Sequence, residues 1–241
     1  MRLDKLLANM GYGSRKEIKK LCKDGAVKVD GKLIKDSSVH IDPYEQEVEI
    51  LGEVVQYREF VYLMMNKPQG VISATEDAVE ETVVDLLDAQ FFVFDVFPVG
   101  RLDKDTEGLL LLTNDGKLAH ELLSPKKHVP KRYFAQIQGR VTEADGEAFR
   151  KGVTLDDGYK TLPAELTILT QGDISEIELV IYEGKYHQVK RMFEAVGKKV
   201  TYLKRIAMGA LQLDEDLEPG EYRELAEEEV ELLRTSERRE R

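Results

Sequence analysis

The sequence of 241 residues contains no tryptophan and a single cysteine, Cys22. One cysteine excludes an intrachain disulfide and a zinc site built from thiolates, and a reducing compartment is expected. No apolar stretch approaches the roughly 20 residues that span a bilayer. The start, MRLDKLLANMG, is too short and too charged for a secretory apolar region, so a cytoplasmic protein is expected. Also missing are a P-loop, a Rossmann glycine pattern and a convincing metal-ligand spacing among the four histidines.

What is present suffices for a substantial core: 42% of residues are apolar, enough for one large domain or two unequal ones. The net charge of -11 is unevenly spread. Residues 1 to 35 carry ten Lys/Arg against four Asp/Glu, residues 183 to 205 carry seven against two, and residues 214 to 241 carry five against twelve. The acid is concentrated at the end, so the total does not exclude a polyanionic partner for the rest.

Residues 2 to 10 predict a short amphipathic helix with Leu3, Leu6 and Leu7 on one face, ended by Gly11 and Gly13. In SRKEIKKLCKDG, Ser14 and Glu17 form a capping box and Gly25 is placed to end a second helix. Ile18, Leu21 and Cys22 share one face of that helix, while Lys16, Lys19, Lys20 and Lys23 fall at i, i+3, i+4 and i+7 on another. VKVDGKLI then predicts two short strands around an Asp-Gly turn. A solvated face accounts for a lysine stripe in many proteins. Like charges at i and i+4 nevertheless repel by a few tenths of a kcal/mol per pair, and a polyanion alongside would relieve that repulsion and release counterions.

Residues 36 to 60 are polar and acidic, and the boundary is expected near residue 57, giving units of 1–56 and 57–225 and a charged tail of 226–241. The tail is expected to be solvated or disordered and dispensable. In the larger unit, FVYLMMN, LLLLT, RYFAQIQG, IELVIY and VTYLKRI predict strands, and TVVDLLD, KLAHELL, EADGEAFRKG and HQVKRMFEAVG predict helices. Several strands follow one another without an intervening helix, which favours an α+β fold with a largely antiparallel sheet. GRLDKDTEG places Asp103, Asp105 and Glu107 in a loop at the mouth of the strand LLLLT. Capping and pairing with Arg101 or Lys104 would explain these carboxylates; so would chemistry, which rigid elements often carry on their loops.

Two resemblances bear on that choice. RLDKLLANMGYGSRKEIKKLCKDGAVKVDGK resembles the small helix-helix-hairpin RNA-binding module first described in a small-subunit ribosomal protein. It implies a shape-reading RNA contact by Arg2, Arg15, Lys16, Lys19, Lys20 and Lys23. GRLDKDTEGLLLLTNDG, with NKPQGVIS, KRYFAQIQG and EGKYHQVKRMFEAVG in the same order, resembles the pseudouridine synthases, in the branch that modifies small-subunit ribosomal RNA and its large-subunit relatives. Together the two cover nearly the whole chain apart from the acidic tail.

The resemblance implies that Asp103 is the essential aspartate, Tyr133 the active-site tyrosine, and Lys190 the basic partner, where many relatives have arginine. Arg191 is the second candidate for that partner, since lysine lacks the guanidinium fork. Lys67 and Arg101 are candidate phosphate contacts, and His187 and Gln188 stand at a helix start where free N–H groups attract phosphate or are merely capped. Asp105 and Glu107 are read as loop-shaping, paired with Arg101 and Lys104. The implied reaction is isomerisation of a specific uridine in ribosomal RNA, foremost in the small subunit, by a monomer without a cofactor. A large-subunit target, a non-catalytic RNA-binding assembly factor and a uracil-releasing glycosylase are the alternatives.

Overall fold

Apolar spacing and capping residues account for the first elements. Leu3, Leu6 and Leu7 recur at helical spacing and are fully buried on α1 (Leu3–Asn9). Ser14 opens α2 (Arg15–Lys23) with the expected capping box: its N–H donates to Glu17 Oε2 at 2.7 Å, and the Glu17 N–H donates to Ser14 Oγ. β1 (Val27–Val29) and β2 (Lys32–Leu33) are joined by Asp30-Gly31, both at positive φ as a type I′ turn requires. β3 (Val48–Ile50) pairs with β1 and β4 (Glu53–Val54) with β3, so the sheet runs β2-β1-β3-β4. Its core gathers Leu3, Leu6, Leu7, Ile18, Cys22, Val27 and Val48.

The computed structural model of the chain describes residues 1–235. These form two compact units, one of Met1–Val61 with Asp88–Asp95 and one of Tyr62–Leu87 with the chain from Val96 onward. Segment 88–95, which the sequence reading left in the larger unit, thus belongs to the smaller. Among the described residues no helix is long and apolar enough to cross a membrane.

The larger unit contains, in order, β5 (Tyr62–Lys67), β6 (Phe97–Pro98), β7 (Glu107–Thr113), α3 (Gly116–Leu123), β8 (Lys131–Gln138), α4 (Glu143–Lys151), β9 (Glu165–Thr170) and β10 (Ile174–Ile181). It continues with α5 (Gln188–Ala195), β11 (Lys199–Met208), β12 (Leu211–Gln212), β13 (Tyr222–Glu224) and α6 (Glu227–Thr235). The main sheet runs β13-β5-β7-β11-β8-β10-β9, with β6 on β7 and β12 on β11. Among the described residues β7 and β11 pair in parallel and the other neighbours are antiparallel, so the fold is α+β as expected. Gly108 permits the parallel contact: a Cβ there would lie 2.2 Å from the Arg205 carbonyl oxygen.

Two sequence expectations fail. TVVDLLD forms successive turns and no helix. Residues 81–83 are held by the backbone of Ile72, whose N–H donates to the Glu81 carbonyl and whose carbonyl accepts from Val83 N–H, and the Asp85 carboxylate takes the Thr82 N–H at 2.8 Å. The acidic tail is the second. Residues 227–235 fold as α6, with Val230 and Leu233 buried one turn apart and Leu233 in the core with Met64, Leu109, Leu111 and Met208. Arg223 anchors the helix through Glu229, at 2.7 and 2.8 Å, and also pairs with Asp214. The rest of the expected tail, residues 236–241, lies outside the described residues. Leu233→Ala should therefore lower the unfolding free energy by about 2–4 kcal/mol, the usual cost of a buried leucine. Urea titration checks this, and an unchanged midpoint would restore the dispensable tail.

Candidate active site

The loop between β6 and β7 is pinned from below by the segment that follows β5. Lys67, at the end of β5, is fully buried, and its ammonium donates to the carbonyls of Pro68 at 2.9 Å, Asp103 at 3.1 Å and Thr106 at 3.0 Å. Gly70 N–H donates to the Lys104 carbonyl at 2.8 Å. Ser73 Oγ donates to the Leu102 carbonyl at 2.9 Å and accepts the Leu102 N–H at 3.0 Å. Lys67 is therefore no phosphate contact; it is a buried post under the loop, and burial pushes its pKa down to about 8 against the charges of Asp103, Asp105 and Glu107.

On that loop the Asp103 carboxylate faces α5. Lys190 Nζ donates to Asp103 Oδ2 at 3.1 Å and to Asp105 Oδ1 at 2.6 Å, while His187 Nε2 lies 3.7 Å from Asp103 Oδ1. Burial alone would lower the Lys190 pKa; its bonds to Asp105 and Asp103 outweigh that and raise it. Burial opposes ionisation of Asp105, yet Lys190 holds its carboxyl below the usual carboxylate range. Lys190 and Arg191 are successive residues of α5 and so point about 100° apart. Arg191 accordingly pairs with Asp156 and with Asp157, the latter at 2.7 Å, and among the described residues it is Lys190 that pairs with Asp103.

Asp103 and Tyr133 line one cavity of about 430 Å³, together with Arg101, Lys131, His187, Gln188 and Arg205. That volume suits a small ligand such as a nucleoside, for which sites of about 300–1,000 Å³ are typical. A wider depression shares Asp103, Arg101 and His187 and adds Lys190, Asp105 and Tyr186. Tyr133 sits on β8 at 7% exposure. Gln188 is less free than its position suggested: its Oε1 accepts the Lys185 N–H at 2.8 Å and its Nε2 donates to Glu183 at 2.9 Å, so it braces the turn into α5. His187 occupies the left-handed region at φ 48° and stacks on Tyr186, ring centroids 3.8 Å apart. The expected partners of the other two loop acids are also corrected. Asp105 pairs with Lys190, Glu107 accepts from the Tyr202 hydroxyl at 2.6 Å, and Lys104 reaches Glu80 at 2.5 Å.

Residues 61–195 match the RNA pseudouridylate synthase family and residues 1–46 match the S4 domain. The chain belongs to the RNA pseudouridylate synthase family. It is similar to the uncharacterized RNA pseudouridine synthase YtzG of Bacillus subtilis, 60% identical with 97% of this chain and 98% of that one covered. The ribosomal small subunit pseudouridine synthase A of Vibrio vulnificus is 41% identical, covering 97% of this chain and 99% of that one. The ribosomal large subunit pseudouridine synthase B of Bacillus subtilis is 40% identical, covering 97% and 95%. A crystal structure of a pseudouridylate synthase superposes with a TM-score of 0.68 at 39% identity, covering 97% of this chain and 99% of that one.

For a pseudouridylate synthase, the residues that the sequence reading missed are instructive. Ser73 carried no local signal. Lys131 stands two residues before Tyr133 and so shares its strand face, and Arg205 lies directly across from Tyr133 on β11. In the S4 domain, Arg15, Lys16, Lys19, Lys20 and Lys23 are all exposed. Arg2 is tied by a two-point fork to Asp4, at 2.6 and 3.0 Å.

Proposed function

We propose that this pseudouridylate synthase isomerises a specific uridine of ribosomal RNA, in the small subunit, acting as a monomer with Asp103 as its catalytic group and without a cofactor. The observation that carries the reading is the Asp103 carboxylate, held by Lys190 at 3.1 Å on the wall of the cavity that Tyr133 also lines. Isomerisation detaches uracil from C1′ and rejoins it through C5, so atoms and oxidation level are conserved and no co-reactant is called for. An ionised carboxylate assists either as nucleophile at C1′ or as base at the 2′ hydrogen, and the Lys190 ammonium favours that ionised form. The uridine is flipped from its stack to reach the carboxylate, and Tyr133 offers the extruded base a ring to stack on and a hydroxyl. Arg101, exposed at the rim, is the group suited to the flanking phosphate.

Incubating the protein with unmodified small-subunit rRNA, large-subunit rRNA and partly assembled particles, then mapping pseudouridine, tests the reading. A single new site in small-subunit RNA supports it, and free uracil in place of pseudouridine overturns it. The near-equal identity to the large-subunit relative favours one second reading, in which the site appears in large-subunit RNA.

The lysine stripe of α2 supports an electrostatic RNA contact by the S4 domain. Lys16, Lys19, Lys20 and Lys23 changed together to alanine should weaken RNA binding and flatten its dependence on salt, at about 0.7–0.9 in the log–log slope per lost phosphate contact. Filter binding between 50 and 200 mM salt measures this. An unchanged slope would mean that the stripe is merely a solvated face.

A further inference from the structure

Two further cations line the cavity, Arg205 buried and Lys131 half-buried. Arg205 is 2% exposed; its Nε donates to the Leu109 carbonyl at 2.8 Å, and its Nη2 is buried without a hydrogen-bond partner among the described residues. Buried guanidinium nitrogens are rarely left so. Lys131 lies on the same sheet face and donates to the Val129 carbonyl at 3.1 Å. The carboxylate nearest in role, Glu183, is already occupied by the Tyr159 hydroxyl at 2.6 Å, Leu162 N–H at 2.8 Å and Gln188 at 2.9 Å. Burial and the charge of Arg205 push Lys131 down to about 8, with Glu183 acting the other way. The inner part of the cavity therefore holds more positive charge than the free protein compensates.

Resting on the reading above, we infer that Arg205 and Lys131 form a cationic cradle for the negative charge that uracil acquires while detached from its sugar. When the C1′–N1 bond breaks, its electron pair leaves with the base, giving a uracil anion with charge shared among N1, O2 and O4. This holds whether Asp103 bonds to C1′ or takes the 2′ proton. The base then turns, an electron pair at C5 forms the C5–C1′ bond, the C5 proton is lost and N1 is protonated. During that interval the anion is not covalently attached, and fixed cations in a dry cavity both stabilise it and keep it from leaving. A neutral uracil in the ground state gains less from them, which is what makes the contact catalytic. Arg205 and Lys131 are thus assigned as catalytic residues acting on the leaving group, opposite in role to Asp103 at the sugar.

The test compares single-turnover cleavage of the C1′–N1 bond in target RNA carrying uridine or 5-fluorouridine, for wild type, Lys131→Met and Arg205→Met. Fluorouracil is the more acidic base and departs with less assistance. Each variant should lose about 10²–10³-fold on uridine, the usual effect of removing one donor to developing charge, and at least about tenfold less on 5-fluorouridine. RNA affinity should stay at the wild-type value, and Lys131→Arg should keep most of the rate. Equal losses on both bases, or no loss, overturn the inference while leaving the proposed function intact; a wild type that modifies no rRNA overturns both. Where Arg205→Met fails to fold, Lys131→Met decides alone, since it removes one hydrogen bond to a backbone carbonyl.

Discussion

Asp103→Asn should abolish pseudouridine formation, with a fall in single-turnover rate on the order of 10⁴-fold or more, as removal of a central catalytic group typically gives. Asparagine keeps the shape of the side chain and can still meet Lys190, so folding and RNA affinity should remain close to wild type. What it loses is the ionised oxygen pair that can attack C1′ or remove the 2′ proton. The neighbouring acid provides the internal control. Asp105 shares Lys190 at 2.6 Å but its side chain is 68% exposed. Asp105→Asn should therefore lower the rate by no more than about tenfold, because an exposed ion pair is worth about 1 kcal/mol or less. Quantifying pseudouridine in RNA from both reactions separates the roles. Equal activity of Asp103→Asn and wild type would remove Asp103 from the mechanism, and an Asp105 variant as dead as the Asp103 variant would mean that the wrong carboxylate had been chosen.

The sequence was most legible where a local chemical rule decides the structure. Ser14 with Glu17 can cap a helix in one place, and Asp30-Gly31 can turn a hairpin in one register, so α2, β1 and β2 appear where expected. LLLLT reads as a buried strand because no polar residue interrupts it. The errors arose where distant backbone competes with a local pattern. TVVDLLD has apolar residues suited to a helix, but the backbone of Ile72 claims the Val83 N–H and, just before the segment, the Glu81 carbonyl. In EEEVELLRT the spacing of Val230 and Leu233 was present but masked by the density of charge around it, and burial of those two side chains decides the outcome.

The site shows the same division. Asp103 was marked by its motif, yet Lys190 and Arg191 are adjacent, and only the packing of α5 decides which one faces the loop. Gln188 was a candidate phosphate contact or cap at a helix start, and its side chain has both ends engaged with Lys185 and Glu183. Arg205 and Lys131 escaped notice because strand alternation says which residues share a face, but not that the face borders a cavity. A lysine is presumed to lie at the surface, and nothing in NKPQG signals that Lys67 is wholly enclosed by carbonyl groups.

Lys67→Met should be the most damaging substitution outside the cavity, lowering stability by about 2–5 kcal/mol and the catalytic rate by about 10²-fold. The ammonium's three close bonds, to Pro68, Asp103 and Thr106, are charge-assisted and worth about 1.5–3 kcal/mol each. Against them stands the cost of burying the charge. Burial draws the Lys67 pKa down to about 8, below the ordinary lysine value, so the charge itself is held at a cost and the expected loss comes from the three carbonyl bonds that methionine cannot make. Methionine fills the space but leaves buried carbonyls unpaired beneath Asp103, and a displacement of the carboxylate by about 1 Å is enough for the loss in rate. The pH dependence has a definite sign. Between about pH 8 and 10.5 the unfolded chain keeps the Lys67 proton while the folded chain has released it, so its burial cost fades and the stability of wild type relative to Lys67→Met rises with pH. Lys131, drawn down to the same value, is present in both proteins and cancels in the difference. Urea unfolding of the two proteins at pH 7 and pH 9.5 measures this directly. A gap that narrows with pH would show that the ammonium, and not the amine, is the form the loop requires.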